Sequence, residues 1–522
     1  MIWGKAGNKV NSRLNNARKN IYSAYICKFA GLALPFILRM VMLSTIGAEY
    51  LGLTGLFQAI FSFLNIANLG MDSAITYMMY KPFAEDDTDT ICALLNAYRY
   101  VYRIVGCVVL GAGLCVIPFL PHLIHGEAPE GVCLTAVYLI LLVNTSLGYL
   151  FFSYRDSLFN ASQRIDILNY LDLSIRVLTT GLQIVLLLLF RNFYIYCIII
   201  PIITFVRNLA GYFLSRREFP QYECRGHITS EQKSSLKKQV SGLLINNVSS
   251  KLTYDLDIIV ISSALGLVML AKYQNYLIIA SNVAMLVTMI DSSLIPGIGN
   301  SLVTETVERN YRYLNIYQYL YIWLNGWFMA CLVCMYQPFI LLWLGKEMML
   351  PDTIVPLFGL YFITRSLNNV CWQFRTAAGL WWEDRYRAIF AGGFNLVMDL
   401  MLVRIWGVAG ALIGTIIYQV VFDSPWGACI LFHNRFPGQK PTAYVERNYF
   451  YLLTVSLGSA LCWFICRLIP IPADRNLVTV GFLVFRGLVC TLVANGFLWL
   501  IYHHLPEYED AKGLMMRLLE RK

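Results

Sequence analysis

The chain has 522 residues, of which 58% are hydrophobic and only 14% are charged, and its formal net charge is +10. A mean hydropathy of +0.58 and a charged fraction well below the roughly 25% of ordinary domains exclude a soluble globular protein. The sequence instead predicts an all-α integral membrane protein without a separate soluble catalytic domain.

Apolar windows recur along the whole chain. They begin only after residue 20, and the polar segment before them has no cleavable signal pattern, so we expect the first helix to be retained. A bilayer span needs about 20 apolar residues, and about 14 such spans are predicted. They are 21–46, 51–80, 91–121, 132–154, 171–190, 192–215, 241–264, 268–299, 313–344, 353–376, 386–406, 408–432, 448–470 and 477–502. The acidic run Glu85–Asp89 predicts the N-terminus of the third span.

The spans predict two six-helix bundles followed by two extra helices. Lysine and arginine concentrate in alternate loops, which predicts that both termini are cytoplasmic. The positive net charge is then a topology signal, and no nucleic-acid partner is expected. The predicted segments are a cytoplasmic N-terminal segment (1–20), the first bundle (21–215), a cytoplasmic linker (216–240), the second bundle (241–434), two extra helices (435–502) and a cytoplasmic amphipathic tail (503–522).

Short matches at a nearly constant offset indicate an internal duplication. Ser44-Thr-Ile-Gly47 matches Ser263-Ala-Leu-Gly266 at an offset of 219. Three alternating tyrosines, one cysteine and one glycine also match at an offset of 219. One dipeptide matches at an offset of 220. The duplication predicts two bundles related by an axis along the membrane normal, as in transporters that move two bundles around a central site. These further matches are Tyr98, Tyr100 and Tyr102 with Tyr317, Tyr319 and Tyr321, Cys115 with Cys334, Gly126 with Gly345, and Tyr154-Arg155 with Phe374-Arg375.

When the cations assigned to loops and tails are set aside, nine remain within the predicted spans. A charge near the middle of a span costs about 2.5 to 3.5 kcal/mol, so such residues normally face a hydrated cavity or a partner. Snorkelling to the membrane surface is the simpler explanation for the two that lie near cytoplasmic ends, Arg99 and Arg207. The nine are Lys28, Arg39, Arg99, Arg103, Arg176, Arg207, Lys251, Arg365 and Arg486.

Lys28 and Arg39 lie on one face of the first span, because eleven residues at about 100° each bring them within about 20° of one another. They are separated by about 16 Å along the helix axis. Either they line a cavity, or each pairs with an acid on a neighbouring helix. The second span carries a polar stripe that could likewise line a cavity or form packing hydrogen bonds; it comprises Thr54, Gln58, Asn65 and Asp72.

Cations dominate the first bundle and acids the second, which suggests a division of labour. We expect the cations to bind an anionic diphosphate, and the acids to bind a coupling H⁺ or Na⁺. Lys251 and Asp255 are one turn apart and could simply neutralise each other. The predicted substrate contacts are Lys28, Arg39, Arg103, Arg176, Lys251, Arg365, Gln58 and Asn65, and the predicted ion-coupling acids are Asp72, Asp255, Asp257, Asp291 and Asp399. Amides including Asn275, Gln373 and Asn395 could bind sugar hydroxyls.

No motif indicates a cofactor or a metal. The sequence has no Walker A loop, no Gly-rich nucleotide fingerprint and no H-E-x-x-H. Its 14 cysteines are scattered through apolar runs, including Cys331-x-x-Cys334 and Cys462-x-x-x-Cys466. We interpret them as small buried hydrophobes in preference to metal ligands or disulfides.

The opening third of the chain, with the segment that begins LALPFILRMVMLSTIGAEYLGLTGLFQAIF, resembles bacterial polysaccharide repeat-unit flippases, and residues 34–106 are the most specific part of this resemblance. These form the polysaccharide transporter branch of the superfamily that also contains multidrug and toxin extrusion pumps and the lipid II flippase. The resemblance implies a V-shaped transporter of the bacterial cytoplasmic membrane, working by alternating access. Such a protein moves undecaprenyl-diphosphate-linked oligosaccharide for O-antigen, capsule or exopolysaccharide from the inner to the outer leaflet, and membrane lipid and other polysaccharide-assembly proteins are its expected partners.

Three alternatives remain. A cation-coupled drug exporter of the same superfamily needs acids in its cavity, whereas the first span has no acid between Ile21 and Ile46. A polysaccharide polymerase or ligase would need external loops able to carry acid–base residues. A sugar exporter without kinship to the superfamily is the third. We therefore expect a transporter and not an enzyme.

Overall fold

A computed structural model of the protein describes residues 2–65, 71–126, 128–230, 232–234, 251, 255–380, 382–469 and 477–520. Only the backbone is described for residues 2–18, 21, 71–74, 289–293, 296, 477, 514–515 and 517–520. Every regular element in these ranges is helical, which confirms the predicted all-α fold.

The helices before the linker largely follow the predicted spans. Asp87 begins one of them by accepting a hydrogen bond from the Thr90 amide at 3.0 Å, as the acidic run predicted. The hydrogen bonds from Thr90 also lower the pKa of the Asp87 carboxyl. The helices are α1 (Ile2–Thr45), α2 (Ala48–Leu64), α3 (Met71–Glu85), α4 (Thr88–Val116), α5 (Leu134–Leu150), α6 (Asp156–Ala161), α7 (Ile165–Phe190) and α8 (Phe193–Glu218).

The helices after the linker include several that are shorter than the predicted spans. They are α9 (Leu256–Leu265), α10 (Leu267–Thr304), α11 (Val307–Trp343), α12 (Val355–Leu367), α13 (Asn369–Ala377), α14 (Arg385–Trp406), α15 (Val408–Ile417), α16 (Ser424–Arg435), α17 (Pro441–Arg467), α18 (Leu477–Tyr502) and α19 (Pro506–Glu520). The predicted helical tail corresponds to α19, but the side chains of its predicted apolar face at 514–515 and 518–519 lie outside the described residues.

Several predicted spans are interrupted. The fourth span bends by 44° between α5 and α6, next to Phe152, whose left-handed φ of 62° cannot continue a helix. The twelfth contains a π-helical turn at Tyr418–Asp423 just before Pro425, whose missing amide hydrogen disturbs the regular pattern of helix hydrogen bonds.

Nine helices of the described part are long and apolar enough to cross a membrane, or ten with the bent pair. The protein is a multi-pass membrane protein.

Contacts within the chain define two compact units, residues 1–251 with 266–268, and residues 252–265 with 269–522. In the first unit α1 packs along α7, and α5 packs between α4 and α8. Tyr98, Tyr102 and Leu158 belong to the core of that unit. In the second unit α11 is central and packs against α12, α17 and α18.

The backbone supports the duplication at its glycines. Gly47 and Gly266 have φ of 109° and 84°, and Gly126 and Gly345 have φ of 89° and 96°. These conformations strongly favour glycine over residues with a Cβ atom. The matched glycines therefore make equivalent turns in the two halves of the chain.

The two extra helices explain one difference between the halves. Tyr100 is 54% exposed, whereas its counterpart Tyr319 is 1% exposed. Tyr319 is covered by Tyr502 of α18, with ring centroids 5.9 Å apart. Helices α17 and α18 thus bury a face of α11 whose equivalent on α4 stays open at this position.

Candidate functional site

The first unit contains a cavity of about 340 Å³ between α2, α5 and α8. We call it the first-unit cavity. Its lining combines polar and apolar side chains and includes no acid among the residues that the structure describes. The lining residues are Thr54, Gln58, Phe61, Ser62, Asn65, Leu141, Asn144, Thr145, Tyr196, Cys197 and Ile200.

The polar stripe predicted on the second span supplies one wall of this cavity. Gln58 is exposed, and the Asn65 side chain accepts a hydrogen bond from the Tyr149 hydroxyl at 2.8 Å. On the opposite wall, the Oδ1 atom of Asn144 is buried and accepts no hydrogen bond from a described residue. The cavity therefore presents amide groups able to bind a polar ligand. The side chain of Asp72, the fourth predicted member of the stripe, is not described.

Two of the predicted cations lie at the first-unit cavity. The Lys251 ammonium donates a hydrogen bond to the Ser62 hydroxyl at 2.6 Å, and Ser62 lines the cavity. Arg39 of α1 is half-buried and interacts electrostatically with Tyr196, another lining residue. Lys251 thus places a positive charge at the cavity, and Arg39 influences one of the residues that line it.

Lys28 lies elsewhere on α1, together with Arg176 of α7. A guanidinium nitrogen of Arg176 lies only 2.6 Å from the place where a Cβ atom on Gly31 would be. Gly31 is one turn beyond Lys28, so Arg176 approaches α1 close to Lys28. In the described part of the chain, no carboxylate forms an ion pair with either cation. The predicted Lys28 and Arg39 thus belong to two positive regions about 16 Å apart along α1.

The other predicted cations are not brought to the cavity. Arg103 is exposed on α4, and Arg365 is exposed on α12 of the second unit. The snorkelling interpretation is wrong for Arg207, because its guanidinium donates to Asp156 at 2.5 Å and to Asp172 at 2.9 Å. Two acids on neighbouring helices balance this charge, so it does not need to reach the membrane surface.

The second unit contains a buried cluster around two carboxyl groups, which we call the carboxyl cluster. The Asn395 amide donates to Asp257 at 3.2 Å and to Asp399 at 3.1 Å. The Thr415 hydroxyl donates to the Asn395 oxygen at 3.0 Å, and the Tyr273 hydroxyl donates to Asp257 at 3.1 Å. All five side chains are at most 2% exposed.

Two carboxyl groups held this close in an apolar surrounding cannot both carry an unbalanced charge. At least one of them is protonated, or a cation lies between their oxygens. One oxygen of Asp399 is buried and accepts no hydrogen bond from a described residue. The carboxyl cluster is therefore suited to bind and release a proton or a small monovalent cation.

The remaining acids behave differently from one another. Asp255 is half-buried, and the side chain of Asp291 lies outside the described residues. Asp423, another acid of the second unit, forms an ion pair with Arg387 and accepts a hydrogen bond from Asn368 at 2.8 Å. Its charge is thereby balanced within the protein.

Three of the amides predicted to bind sugar are buried in this structure. Asn395 is 0% exposed and is bonded to the two acids, Asn275 is 0% exposed, and Gln373 is 1% exposed. A sugar cannot reach side chains that are this deeply buried. Their burial follows from packing between helices, which the sequence pattern does not reveal.

The sequence analysis missed members of both sites. Ser62 continues the stripe of Gln58 at one further turn, so the helical spacing contained a signal for it. Asn395 was named, but as a sugar-binding amide, although it lies one turn from the predicted acid Asp399. Tyr273 and Thr415 come from two other helices and gave no local signal.

No protein-family model matches the sequence, and no curated protein matches it. The protein superimposes on a structure described as lipid II flippase MurJ in the inward closed conformation, with a TM-score of 0.65. The sequence identity is 15%, and the match covers 93% of this chain and 99% of that chain. The protein shares the fold of this flippase. An inward-facing multidrug resistance MATE family transporter gives a TM-score of 0.61 and 12% identity, over 80% of this chain and 96% of the other. The eukaryotic MATE transporter AtDTX14 gives a TM-score of 0.54 and 13% identity, over 84% of this chain and 99% of the other.

Proposed function

We propose that the protein is a flippase that moves undecaprenyl-diphosphate-linked oligosaccharide repeat units from the inner to the outer leaflet of the bacterial cytoplasmic membrane. It works by alternating access, makes and breaks no covalent bond, and has both termini in the cytoplasm. The shared fold with a lipid II flippase supports a lipid-linked substrate.

The first-unit cavity carries this proposal. Its described lining has no acid, its amides are available to hydroxyl groups, and Lys251 and Arg39 lie at its sides. A diphosphate could accept charge-assisted hydrogen bonds from both cations. The Arg39 guanidinium can bind two phosphate oxygens at once, and the lysine acts as a point charge.

The carboxyl cluster supplies the coupling in this proposal. Asp257 and Asp399 would take up H⁺ or Na⁺ and release it on the other side of the membrane. Coupling to an ion gradient would give the transport cycle its direction. The described part of the second unit offers no other pair of acids joined by one amide.

A cation-coupled drug exporter is the second candidate, because the MATE transporters share the fold and the carboxyl cluster is acidic. An organic cation, however, would enter the first-unit cavity against the charges of Lys251 and Arg39. The cavity lining thus favours an anionic substrate over a cationic one.

The test is a flipping assay with the full-length protein in proteoliposomes, using a lipid-diphosphate oligosaccharide and a lectin that reads its leaflet. We expect Arg39→Ala combined with Lys251→Ala to abolish flipping, and Arg39→Lys alone to retain part of the activity. Arg404→Ala, at the exposed end of α14, is the matched control. Transport of cationic dyes without flipping would favour the exporter, and unchanged flipping by the double variant would refute the proposal.

A further inference from the structure

Five of the 14 cysteines meet in the second unit, which the sequence pattern did not predict. Cys331 and Cys334 lie one turn apart on α11, and Cys462 and Cys466 lie one turn apart on α17. Each pair therefore lies on one side of its helix. Cys490 of α18 completes the group, which we call the cysteine cluster.

The sulfur atoms of the cluster are close enough to share one ligand. The Sγ atoms of Cys334, Cys466 and Cys490 all lie within 4.8 Å of one another. The Cys466 and Cys490 sulfurs are 3.5 Å apart. Cys462 belongs to the same buried cluster as these three cysteines, and Cys331 packs against it.

Burial alone does not explain this arrangement. Cys334, Cys462, Cys466 and Cys490 are at most 4% exposed, but so are Cys92, Cys197 and Cys371, which stand apart from the cluster. A disulfide would use only two sulfurs, and all 14 thiols are free. The convergence of five thiols from three helices is what distinguishes the cluster from ordinary packing.

The spacing of the sulfurs fits a thiolate metal site. A Zn–S bond of about 2.3 Å in tetrahedral geometry places the sulfurs about 3.8 Å apart. Soft thiolate ligands select Zn²⁺ or Cu⁺ over Na⁺, Mg²⁺ and Ca²⁺. We propose that the cysteine cluster binds one such thiophilic d¹⁰ metal ion through Cys334, Cys466 and Cys490, with Cys331 or Cys462 as the fourth ligand.

Two arginines make the site electrostatically suitable. Three or four thiolates around a monovalent or divalent ion carry net negative charge, which is costly in an apolar surrounding. Arg486 lies one turn before Cys490 and interacts electrostatically with the sulfurs of Cys334, Cys466 and Cys490. Arg486 and Arg467 also line a neighbouring cavity of about 170 Å³, together with Cys334 and Cys466. Both arginines thus place positive charge near the sulfurs, which would balance the negative charge of a thiolate-bound ion.

The metal would join the two extra helices to the rest of the second unit, because its ligands come from α11, α17 and α18. Bound metal should therefore stabilise the folded protein. This role is independent of the substrate and of ion coupling, so the flipping assay and the metal test can fail separately.

The experiment measures the metal content of the full-length, tag-free protein by inductively coupled plasma mass spectrometry, after expression with added zinc or copper. We expect close to one Zn²⁺ or Cu⁺ per chain, and the measurement identifies which ion is present. Cys490→Ser should lower the content by at least about tenfold. Cys371→Ser, another buried cysteine of the same unit, should leave it unchanged.

Two further readouts keep the test decisive if Cys490→Ser does not fold. Titration of the metal-free wild-type protein with Cd²⁺ should produce a thiolate-to-metal absorption band, and a strong chelator should lower the unfolding temperature of wild type and Cys371→Ser alike. Free thiols without metal in every preparation, or a Cys466–Cys490 disulfide in the peptide map, would overturn the proposal. Equal metal content in Cys490→Ser and Cys371→Ser would do so as well.

Discussion

Replacing Asp399 by asparagine removes one charge of the carboxyl cluster while keeping its size. Oxygens of Asp257 and Asp399 both lie within 3.2 Å of the Asn395 amide nitrogen, so they are no more than about 6 Å apart. At an effective dielectric constant of about 20, two unit charges at this distance repel by about 3 kcal/mol. The wild-type pair should therefore bind a proton or a cation, which removes this repulsion. The variant has a single carboxylate and no such repulsion, so its tendency to bind a proton or a cation should be weaker.

The consequence can be measured as ligand-dependent stability in detergent. A cation at about 100 times its dissociation constant raises the free energy of unfolding by about 2.7 kcal/mol. If the cluster binds Na⁺, we expect the wild-type protein to gain stability when Na⁺ replaces choline at constant ionic strength. If it binds a proton, its stability should depend on pH in a way that Na⁺ does not change. Asp399→Asn should lose most of that response, whichever ion is used.

Glu383→Gln is the matched control, because Glu383 is exposed in a loop of the same unit. It should respond to Na⁺ and pH as the wild type does. An equal response in Asp399→Asn and the wild type would refute the assignment of the ion to the carboxyl cluster. A wild-type protein that responds to neither ion would refute ion coupling at this site altogether.

Two further predictions concern packing within each unit, and a third concerns the amides of the first-unit cavity. Arg207→Ala should lower the free energy of unfolding by about 3 kcal/mol, because it leaves the 22% exposed Asp156 without its cation, while the more exposed Asp172 adds little. Adding Asp156→Asn should recover part of that loss in denaturant titrations. Tyr502→Ala should lower the free energy of unfolding by about 3 to 5 kcal/mol, because it leaves a cavity over Tyr319. Tyr100, the counterpart of Tyr319 in the first unit, is exposed, so Tyr100→Ala should lower it by less than about 1 kcal/mol. Gln58→Leu with Asn65→Leu should slow flipping about 30-fold, since two polar contacts of about 1 kcal/mol each are lost, and equal rates would exclude a role for these amides.

The helical fold and the position of most spans follow from composition and apolar windows, because each bilayer span needs a run of apolar residues. The duplication was visible because glycines such as Gly47 and Gly266 occupy conformations that other residues rarely adopt. The stripe on α2 was predicted from helical spacing, and Thr54, Gln58 and Asn65 do line one cavity.

Other features depend on contacts between distant segments, which spacing along one helix does not encode. Arg375 and Arg387, for example, both bind Asp384, and Arg375 is 4% exposed. Cysteines interpreted as buried hydrophobes include four exposed residues, Cys107, Cys115, Cys133 and Cys429. Five others form a cluster because three helices happen to bring them together.

The central claim is that the first-unit cavity and its flanking cations receive a diphosphate. Native mass spectrometry of the full-length protein with undecaprenyl diphosphate tests it most directly, compared with undecaprenol as the uncharged lipid. The account predicts preferential binding of the diphosphate, lost when Arg39 and Lys251 are both replaced by alanine and retained in Arg404→Ala. Equal binding of the two lipids, or diphosphate binding that survives the double replacement, would contradict it.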